Sequence, residues 1–263
     1  MIYINHIRAG ISCRILLNED NTQLVKQFFS MFHVTDYDIG LKSIGKFRIN
    51  YRNNTFQLLL DDKHLVFDSI YECLLYVSDA IQHACTAEFV GYYHSSLCLN
   101  KRGKSILLIG ASMAGKTSLN MFLCKNGFSY LSDDIAIINK NLKTVSMPIP
   151  VKIRHGIIYD DPTFNRYTLY KNNELKVLGS FNSKTTEATY DVAGVIFLNR
   201  GYDIRIEEMS PSELATGLIK NYFDIISMST QIKFTSKLAA QVKGFRLFYN
   251  NLDDKLLKIV NAI

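Results

Sequence analysis

A short stretch with the spacing GxxxxGK[ST] constrains this chain more than any other feature. The apolar run "SILLI" precedes it, Gly110 to Thr117 form "GASMAGKT", and a helical pattern follows. A strand that ends at a glycine and a helix that begins at a lysine are the setting in which this pattern binds phosphate. The glycines let successive main-chain N–H groups point inward, and the first helical turn adds unpaired donors. The sequence therefore predicts a phosphate loop on an α/β sheet, and the alternative is a plain strand-to-helix turn.

Each position of the predicted loop has an expected task. Lys116 would bridge the β and γ phosphates, and the Thr117 hydroxyl would hold a magnesium ion. Met113 is unusual because a small residue often stands there, but a loop that binds through main-chain donors tolerates it. The predicted nucleotide-binding residues of the loop are Gly110, Ala111, Ser112, Met113, Ala114, Gly115, Lys116, Thr117 and Ser118.

Two consecutive aspartates end the next short strand. "YLSDD" places Asp133 and Asp134 sixteen residues or more after Thr117. A carboxylate at a neighbouring strand end commonly completes the magnesium shell of a phosphate loop. Because adjacent residues in a strand point to opposite sides, we expect one aspartate to bind the metal and the other to accept a proton from an attacking hydroxyl. The alternative is a solvated Asp-Asp turn.

A histidine lies upstream of the loop in "GYYHSSLCLN". His94 stands sixteen residues before Gly110, with a turn at Asn100 to Gly103 between two strand patterns. A hairpin would return His94 to the phosphate side, where it could orient an aspartate or contact a phosphate oxygen. Taken alone, a histidine of this kind is more often structural.

The pattern of elements divides the chain into two parts. Residues 1–90 show short apolar runs and two helical patterns, at "NTQLVKQFFSMF" and after Asp68 or Ser69, which predict a small α+β domain without chemical groups. Residues 91–263 alternate strands with helices, including the strand "VAGVIFLNRG" and a helix capped by Ser210 or Ser212. We expect 91–263 to be the catalytic α/β domain and 1–90 to dock a substrate or partner.

Composition excludes several classes of protein. Thirty basic and 24 acidic residues are spread along the chain, and no basic block or RNA-binding motif predicts a nucleic-acid partner. No run of eighteen apolar residues predicts a membrane span. Five cysteines without metal or disulfide spacing indicate a reducing, cytoplasmic location.

Taken together and in order, these motifs resemble the catalytic domain of HPr kinase/phosphorylase. The segments that carry the resemblance are "HSS", "ILLIGASMAGKTSL", Gly127, "YLSDD", "MPIPVKIR", "VAGVIFLNRG", "EEMSPSELATGLI" and "GFRLFYN", within residues 90–250. The chain is most similar to the short HPr-kinase-like proteins of peptide natural-product clusters, including serine kinases that tailor lasso peptides. The first 90 residues do not resemble the regulatory domain of the bifunctional enzyme.

The resemblance implies a fold related to phosphoenolpyruvate carboxykinase, ATP at the phosphate loop, and an aspartate pair that serves as base and metal ligand. It carries these roles to Lys116, Thr117, the two aspartates and His94, and it suggests Arg154 and Arg200 as cations near the nucleotide. A glycine-containing segment that the bifunctional enzyme uses near its protein substrate has no clear counterpart here. HPr is therefore doubtful as acceptor, and kinase activity is favoured over phosphorolysis.

These observations predict an ATP- and Mg²⁺-dependent kinase of a hydroxyl, preferably a serine in a peptide or small protein. Asp133 is preferred as the base, supported by His94, and Asp134 with Thr117 as the metal ligands. Two alternatives stay open: a kinase of a small hydroxyl metabolite such as free serine or a sugar, and a nucleotide-binding switch without catalysis. The aromatic content is compatible with a homo-oligomer.

Overall fold

The protein is a mixed α/β structure with several sheets. The computed structural model describes residues 1–17, 21–30, 32–52, 55–60, 63–86, 89–153, 164–171, 174–181, 189–223 and 227–263. The strands of this part of the chain are Ile2–His6 (β1), Ile11–Leu16 (β2), His33–Thr35 (β3), Lys42–Arg52 (β4), Thr55–Leu60 (β5), Lys63–Phe67 (β6), Gly91–Tyr93 (β7), Ser95–Leu99 (β8), Ser105–Ile109 (β9), Ser129–Ser132 (β10), Ala136–Ile138 (β11), Thr144–Val145 (β12), Val151–Ile153 (β13), Phe164–Lys171 (β14), Glu174–Phe181 (β15), Thr189–Tyr190 (β16), Val192–Arg200 (β17), Arg205–Met209 (β18) and Lys243–Tyr249 (β19). The helices are Thr22–Phe28 (α1), Ile70–Thr86 (α2), Lys116–Lys125 (α3), Pro211–Lys220 (α4), Met228–Ala239 (α5) and Asp254–Asn261 (α6), with a 3-10 turn over Ile7–Ala9.

The first of two compact units combines residues 1–88 with residues 148–187. Its six-stranded sheet has the order β3-β1-β2-β4-β5-β6, and a second sheet has the order β13-β15-β14. Helix α2 lies against β2, β4, β5 and β6. The ring of Phe28 in α1 packs edge-on to Phe29 and stacks against Tyr71 in α2, which gives this unit an aromatic core of its own.

The second unit combines residues 89–147 with residues 188–263. Its main sheet has the order β10-β8-β9-β17-β19-β18, in which β9, β17 and β19 are parallel neighbours. Strand β9 is buried along its whole length, as expected for a parallel strand covered on both faces. A smaller sheet with the order β16-β12-β11-β7 belongs to the same unit.

The observed units differ from the division at residue 90. The first unit ends its first segment at Glu88, close to that boundary, but it also includes Pro148–Glu187. The pattern of elements instead predicts that those forty residues belong to the catalytic domain. Composition does not mark the exchange, because "MPIPVKIR" runs from one unit into the other without a linker.

Several predicted elements are confirmed in shortened form. The first two predicted helices are α1 and α2, and the Oγ of Ser69 accepts a bond from the Tyr71 N–H at the start of α2. The turn after β8 is closed by a bond from the Gly103 N–H to the Asn100 carbonyl. Helix α3 ends at Lys125, and Gly127, two residues later, has a φ of 93° that suits a residue without a Cβ.

In the described residues, no helix is both long and apolar enough to cross a lipid bilayer.

Candidate functional site

The segment predicted to be a phosphate loop connects a strand to a helix, as expected. It leaves β9 at Gly110 and enters α3 at Lys116. A Cβ at Gly110 would lie 2.9 Å from the Cβ of Ala114 and 3.2 Å from the carbonyl oxygen of Leu198. Only glycine therefore allows the loop to close on itself and on the neighbouring strand β17.

The second glycine of the motif is required for two reasons. Gly115 has a φ of 96°, and a Cβ there would overlap the hydroxyl of Tyr249. That hydroxyl donates a 2.8 Å bond to the Ala114 carbonyl, and Tyr249 itself is buried. Burial raises the pKa of Tyr249, while the nearby Arg200 charge opposes the rise, so the phenol stays a proton donor. Tyr249 thus braces the loop from β19.

Lys116 lies inside the ring formed by the loop. Its Nζ donates to the Gly110 carbonyl at 2.8 Å and to the Ala111 carbonyl at 3.3 Å, and the residue is buried. Helix α3 begins after Gly115, which has no side chain to cap the first turn. The ammonium group of Lys116 and the uncapped N–H groups of that turn are both of the kind that favours an anion.

The hydroxyl of Thr117 is joined to one of the two aspartates. Thr117 Oγ1 donates a 2.7 Å bond to Asp133 Oδ2, and Ser96 Oγ on β8 donates to Asp133 Oδ1. Burial raises the pKa of the Asp133 carboxyl; the bond from Ser96 opposes this, the charge of Asp134 adds to it, and the bond from Thr117 again opposes it. The structure thus brings the loop threonine against Asp133.

Asp134 is oriented differently from Asp133. Its side chain is exposed, and its φ of 65° turns the chain sharply away from strand geometry. His94 Nδ1 donates to the Asp134 main-chain carbonyl at 3.1 Å, and the His94 N–H donates to the Asn221 carbonyl at 2.8 Å. The ring of His94 also packs edge-on against Phe223. The sequence predicts that His94 supports the Asp133 carboxylate. In the structure, the His94 ring instead binds the main-chain carbonyl of Asp134.

One of the two predicted arginines lies beside the loop. The guanidinium of Arg200 lies 5.2 Å from the centre of the Tyr249 ring, and its Nη1 donates to the Asn250 carbonyl at 3.3 Å. A Cβ on Gly115 would lie 3.4 Å from Arg200 Nη2, so this cation borders the loop. The other arginine, Arg154, falls outside the described residues. Met113 is 86% exposed.

The oxygen donors present fit a magnesium ion. Thr117 and Asp133 offer a hydroxyl and a carboxylate at one point, and magnesium uses one or two carboxylates together with substrate phosphates. In the described residues, no three His, Cys, Asp or Glu side chains are grouped to hold a metal by themselves. The donor set is therefore of the kind that binds a metal with a phosphate ligand.

Sequence reasoning missed two residues of this site. Ser96 belongs to the "HSS" segment, but the sequence assigned it no role in the site. Its position on β8, two residues after His94, indicates that it lies near the site. Tyr249 had no local signal, because it meets the loop across 135 residues of chain.

Comparisons with known proteins find a distant structural similarity. No protein family model and no curated protein matches the chain. The chain is similar to the solved structure of the Hpr(Ser) kinase/phosphatase from Coxiella burnetii, at 12% sequence identity and a TM-score of 0.27. The match covers 65% of this chain and 91% of that one.

Proposed function

We propose that the protein is an ATP- and Mg²⁺-dependent kinase that transfers the γ-phosphate to a serine hydroxyl of a peptide or small protein. The observation that carries this proposal is the bond from Thr117 Oγ1 to Asp133 Oδ2, which joins a buried carboxylate to the residue after the loop lysine. Burial of a carboxylate is costly, and a plain strand-to-helix turn does not require a buried carboxylate that accepts bonds from two hydroxyls.

The residues of the loop would bind the triphosphate. The main-chain N–H groups and the first turn of α3 donate to phosphate oxygens, and Lys116 exchanges its carbonyl partners for a phosphate. Arg200 borders the loop and adds a second cation on the side of β19. Positioning and charge neutralisation supply most of the rate enhancement in phosphoryl transfer. These contacts are of the type that provides both.

The two aspartates divide the remaining work. Thr117 and Asp133 would hold magnesium, which when bound neutralises charge on the transferred phosphate. Asp134 is exposed and is fixed through its main chain by His94, which suits a group that meets an incoming hydroxyl and accepts its proton. The opposite assignment, with Asp134 on the metal and Asp133 as base, is the one preferred from the sequence, and the resemblance itself leaves the two roles open.

Paired asparagine variants separate the two assignments. Asp133→Asn should remove the increase in ATP affinity that Mg²⁺ provides, whereas Asp134→Asn should bind Mg·ATP normally and lose about 10²–10⁴-fold in phosphate transfer. Calorimetric titration of ATP with and without Mg²⁺ measures the first effect. The reverse pattern would establish the opposite assignment.

Substitution of the loop lysine tests the proposal as a whole. Lys116→Ala should lower ATP turnover by about 10²–10³-fold, because it removes a positive charge from the transferred group. Lys125→Ala, at the exposed end of the same helix, is the matched control and should retain wild-type turnover. An unchanged rate in Lys116→Ala would contradict the site.

The acceptor is proposed to be a peptide because of the resemblance to short HPr-kinase-like proteins of peptide natural-product clusters, such as those that tailor lasso peptides. Incubation with ATP and either serine peptides or hydroxyl metabolites, followed by mass spectrometry, distinguishes these classes. ATP binding without any phosphorylated product would instead indicate a switch protein. A cytoplasmic location, a docking role for residues 1–90 and self-association stay predictions.

A further inference from the structure

The second unit has a topological switch point beside the phosphate loop. Helix α3, which follows β9, packs on one face of the main sheet with Leu108 and Leu198. Helix α4, which lies in the connection from β17 to β19, packs on the opposite face with Leu107 and Val195. Neighbouring parallel strands whose connections leave on opposite faces form a crevice at their carboxyl ends, where ligands bind. Gly110 and Leu198 mark that point.

A groove of about 390 Å³ lies along α4 on the face opposite α3. Its lining includes Phe197 and Asn199 at the carboxyl end of β17, and Thr216 and Lys220 on α4. Met209, at the end of β18, completes its apolar floor. The proposed roles of the phosphate loop and the aspartates use none of these residues.

The groove has the length of a short extended peptide. It follows α4 from Ser212 to Lys220, which is about 12 Å at the rise of an α-helix. An extended segment rises about 3.3 Å per residue, so three or four residues fit. The Lys220 end is next to Asn221, whose carbonyl accepts the main-chain bond from His94. A peptide in the groove would therefore leave it close to the residues that meet the acceptor.

The charges of the groove favour an acidic ligand at the same end. Arg246 lines the groove, but its Nη2 donates to Glu213 Oε1 at 2.8 Å, so that charge is already balanced. Lys220 is exposed and forms no ion pair with any residue that the structure describes. Besides the paired Arg246, the groove thus offers an apolar floor and the cation of Lys220 at the end next to Asn221.

We propose that this groove binds the acceptor peptide, with an apolar side chain on Phe197 and Met209 and an acidic side chain on Lys220 close to the phosphorylated serine. This inference rests on the proposed kinase function and adds the recognition of residues that flank the serine. A sugar or free serine would not use a floor of this length, because its contacts end within one residue of the reacting hydroxyl.

Degenerate peptides with one fixed serine and radiolabelled ATP test the groove in the full chain. The wild-type protein should prefer Asp or Glu within three residues of the serine. Lys220→Glu should lower incorporation into those acidic peptides by about fivefold or more and shift the preference to Lys or Arg. The matched control is Lys237→Glu, which makes the same change in the last turn of α5 outside the groove and should keep the wild-type preference.

The outcomes separate this inference from the kinase function. An acidic preference that persists in Lys220→Glu, or a wild-type protein without any acidic preference, overturns the groove and leaves the kinase standing. If the wild-type protein phosphorylates hydroxyl metabolites but no peptide, the groove and the peptide acceptor both fail. If Lys116→Ala incorporates phosphate as well as the wild type does, the kinase site itself is wrong.

Discussion

At the residue scale, the Asp133 carboxylate accepts bonds from the hydroxyls of Thr117 on α3 and Ser96 on β8. The spacing from Thr117 and the strand before it placed a carboxylate near the loop. The sequence left open which of the two aspartates contacts Thr117; in the structure it is Asp133, and Asp134 has a positive φ. Ser96, which shares the Asp133 carboxylate, comes from another strand, so its contact depends on tertiary register rather than local pattern.

The conformation of Gly115 leads to a testable prediction about the loop. Gly115→Ala would place a methyl group against the Tyr249 hydroxyl in addition to the strain of a positive φ. We expect ATP affinity to fall at least about tenfold, since the loop donors would be displaced by the shift. Gly103→Ala is the control, because Gly103 has a φ of 73° and open space around its Cβ position.

Urea unfolding separates the two contributions. Gly103→Ala should lower the free energy of unfolding by about 1–2 kcal/mol, the cost of a left-handed conformation for a residue with a Cβ. Gly115→Ala should cost clearly more than this. Equal costs in the two variants would show that Tyr249 yields without effect and does not brace the loop.

At the scale of elements, local signals located most helices and strands of the second unit. The strand "VAGVIFLNRG" and the helix capped by Ser210 were both predicted, and both are present as β17 and α4. Helix α6 was missed, although its buried Leu256 and Val260 stand four residues apart, the spacing of one helical face. Helix α5 carries many polar residues and packs against α4 and β7. Its hydrophobic pattern alone therefore predicts a helix only weakly.

The cap of α4 predicts how stability depends on pH. Glu213 accepts bonds from Arg246 and from the Ser210 N–H, and these lower the pKa of Glu213 to about 2. A carboxyl with a depressed folded-state pKa stabilises the fold above its usual pKa, near 4.5, and loses that contribution as the pH falls toward 2. Glu213→Gln should therefore show a shallower loss of stability between pH 4.5 and 2 than the wild type.

Urea midpoints at several pH values in this interval provide the measurement. Glu208→Gln is the matched control, because Glu208 is an exposed carboxylate in an ion pair with Lys243 but outside the cap. It should keep the wild-type slope. A Glu213→Gln slope equal to that of the wild type would mean that the cap does not contribute in acid.

At the scale of the whole molecule, the sequence did not reveal that the chain alternates between units. The exchange after Met147 and the return at Ala188 depend on which strands pair, and β14 with β15 form their sheet with β13 of the same unit. Periodicity identifies a strand but not its partner, so the assignment of 148–187 to a domain required the structure.

The pairing of β12 with β16 makes the second unit separable. Val145 is paired with Thr189, so the two ends of the second unit meet in one antiparallel ladder. A protein in which residues 89–147 are joined to 188–263 through a linker of about four residues should fold and bind ATP, because hairpin loops of two to five residues connect such strands. Circular dichroism melting and ATP titration provide the test.

A simple truncation to residues 89–263 is the comparison. It keeps residues 148–187 without the segment 1–88 that shares their unit, so it should aggregate or melt less cooperatively than the joined protein. Equal behaviour of the two proteins would show that 148–187 needs no partner from the first segment.

The bond from Tyr249 to Ala114 also has a consequence during synthesis. The two residues are 135 positions apart, which corresponds to roughly 7–27 s of translation. During that interval the loop from Gly110 to Thr117 has been synthesised, but Tyr249, which binds it, has not. We therefore expect nascent chains to bind no nucleotide until β19, the strand that carries Tyr249, has been synthesised.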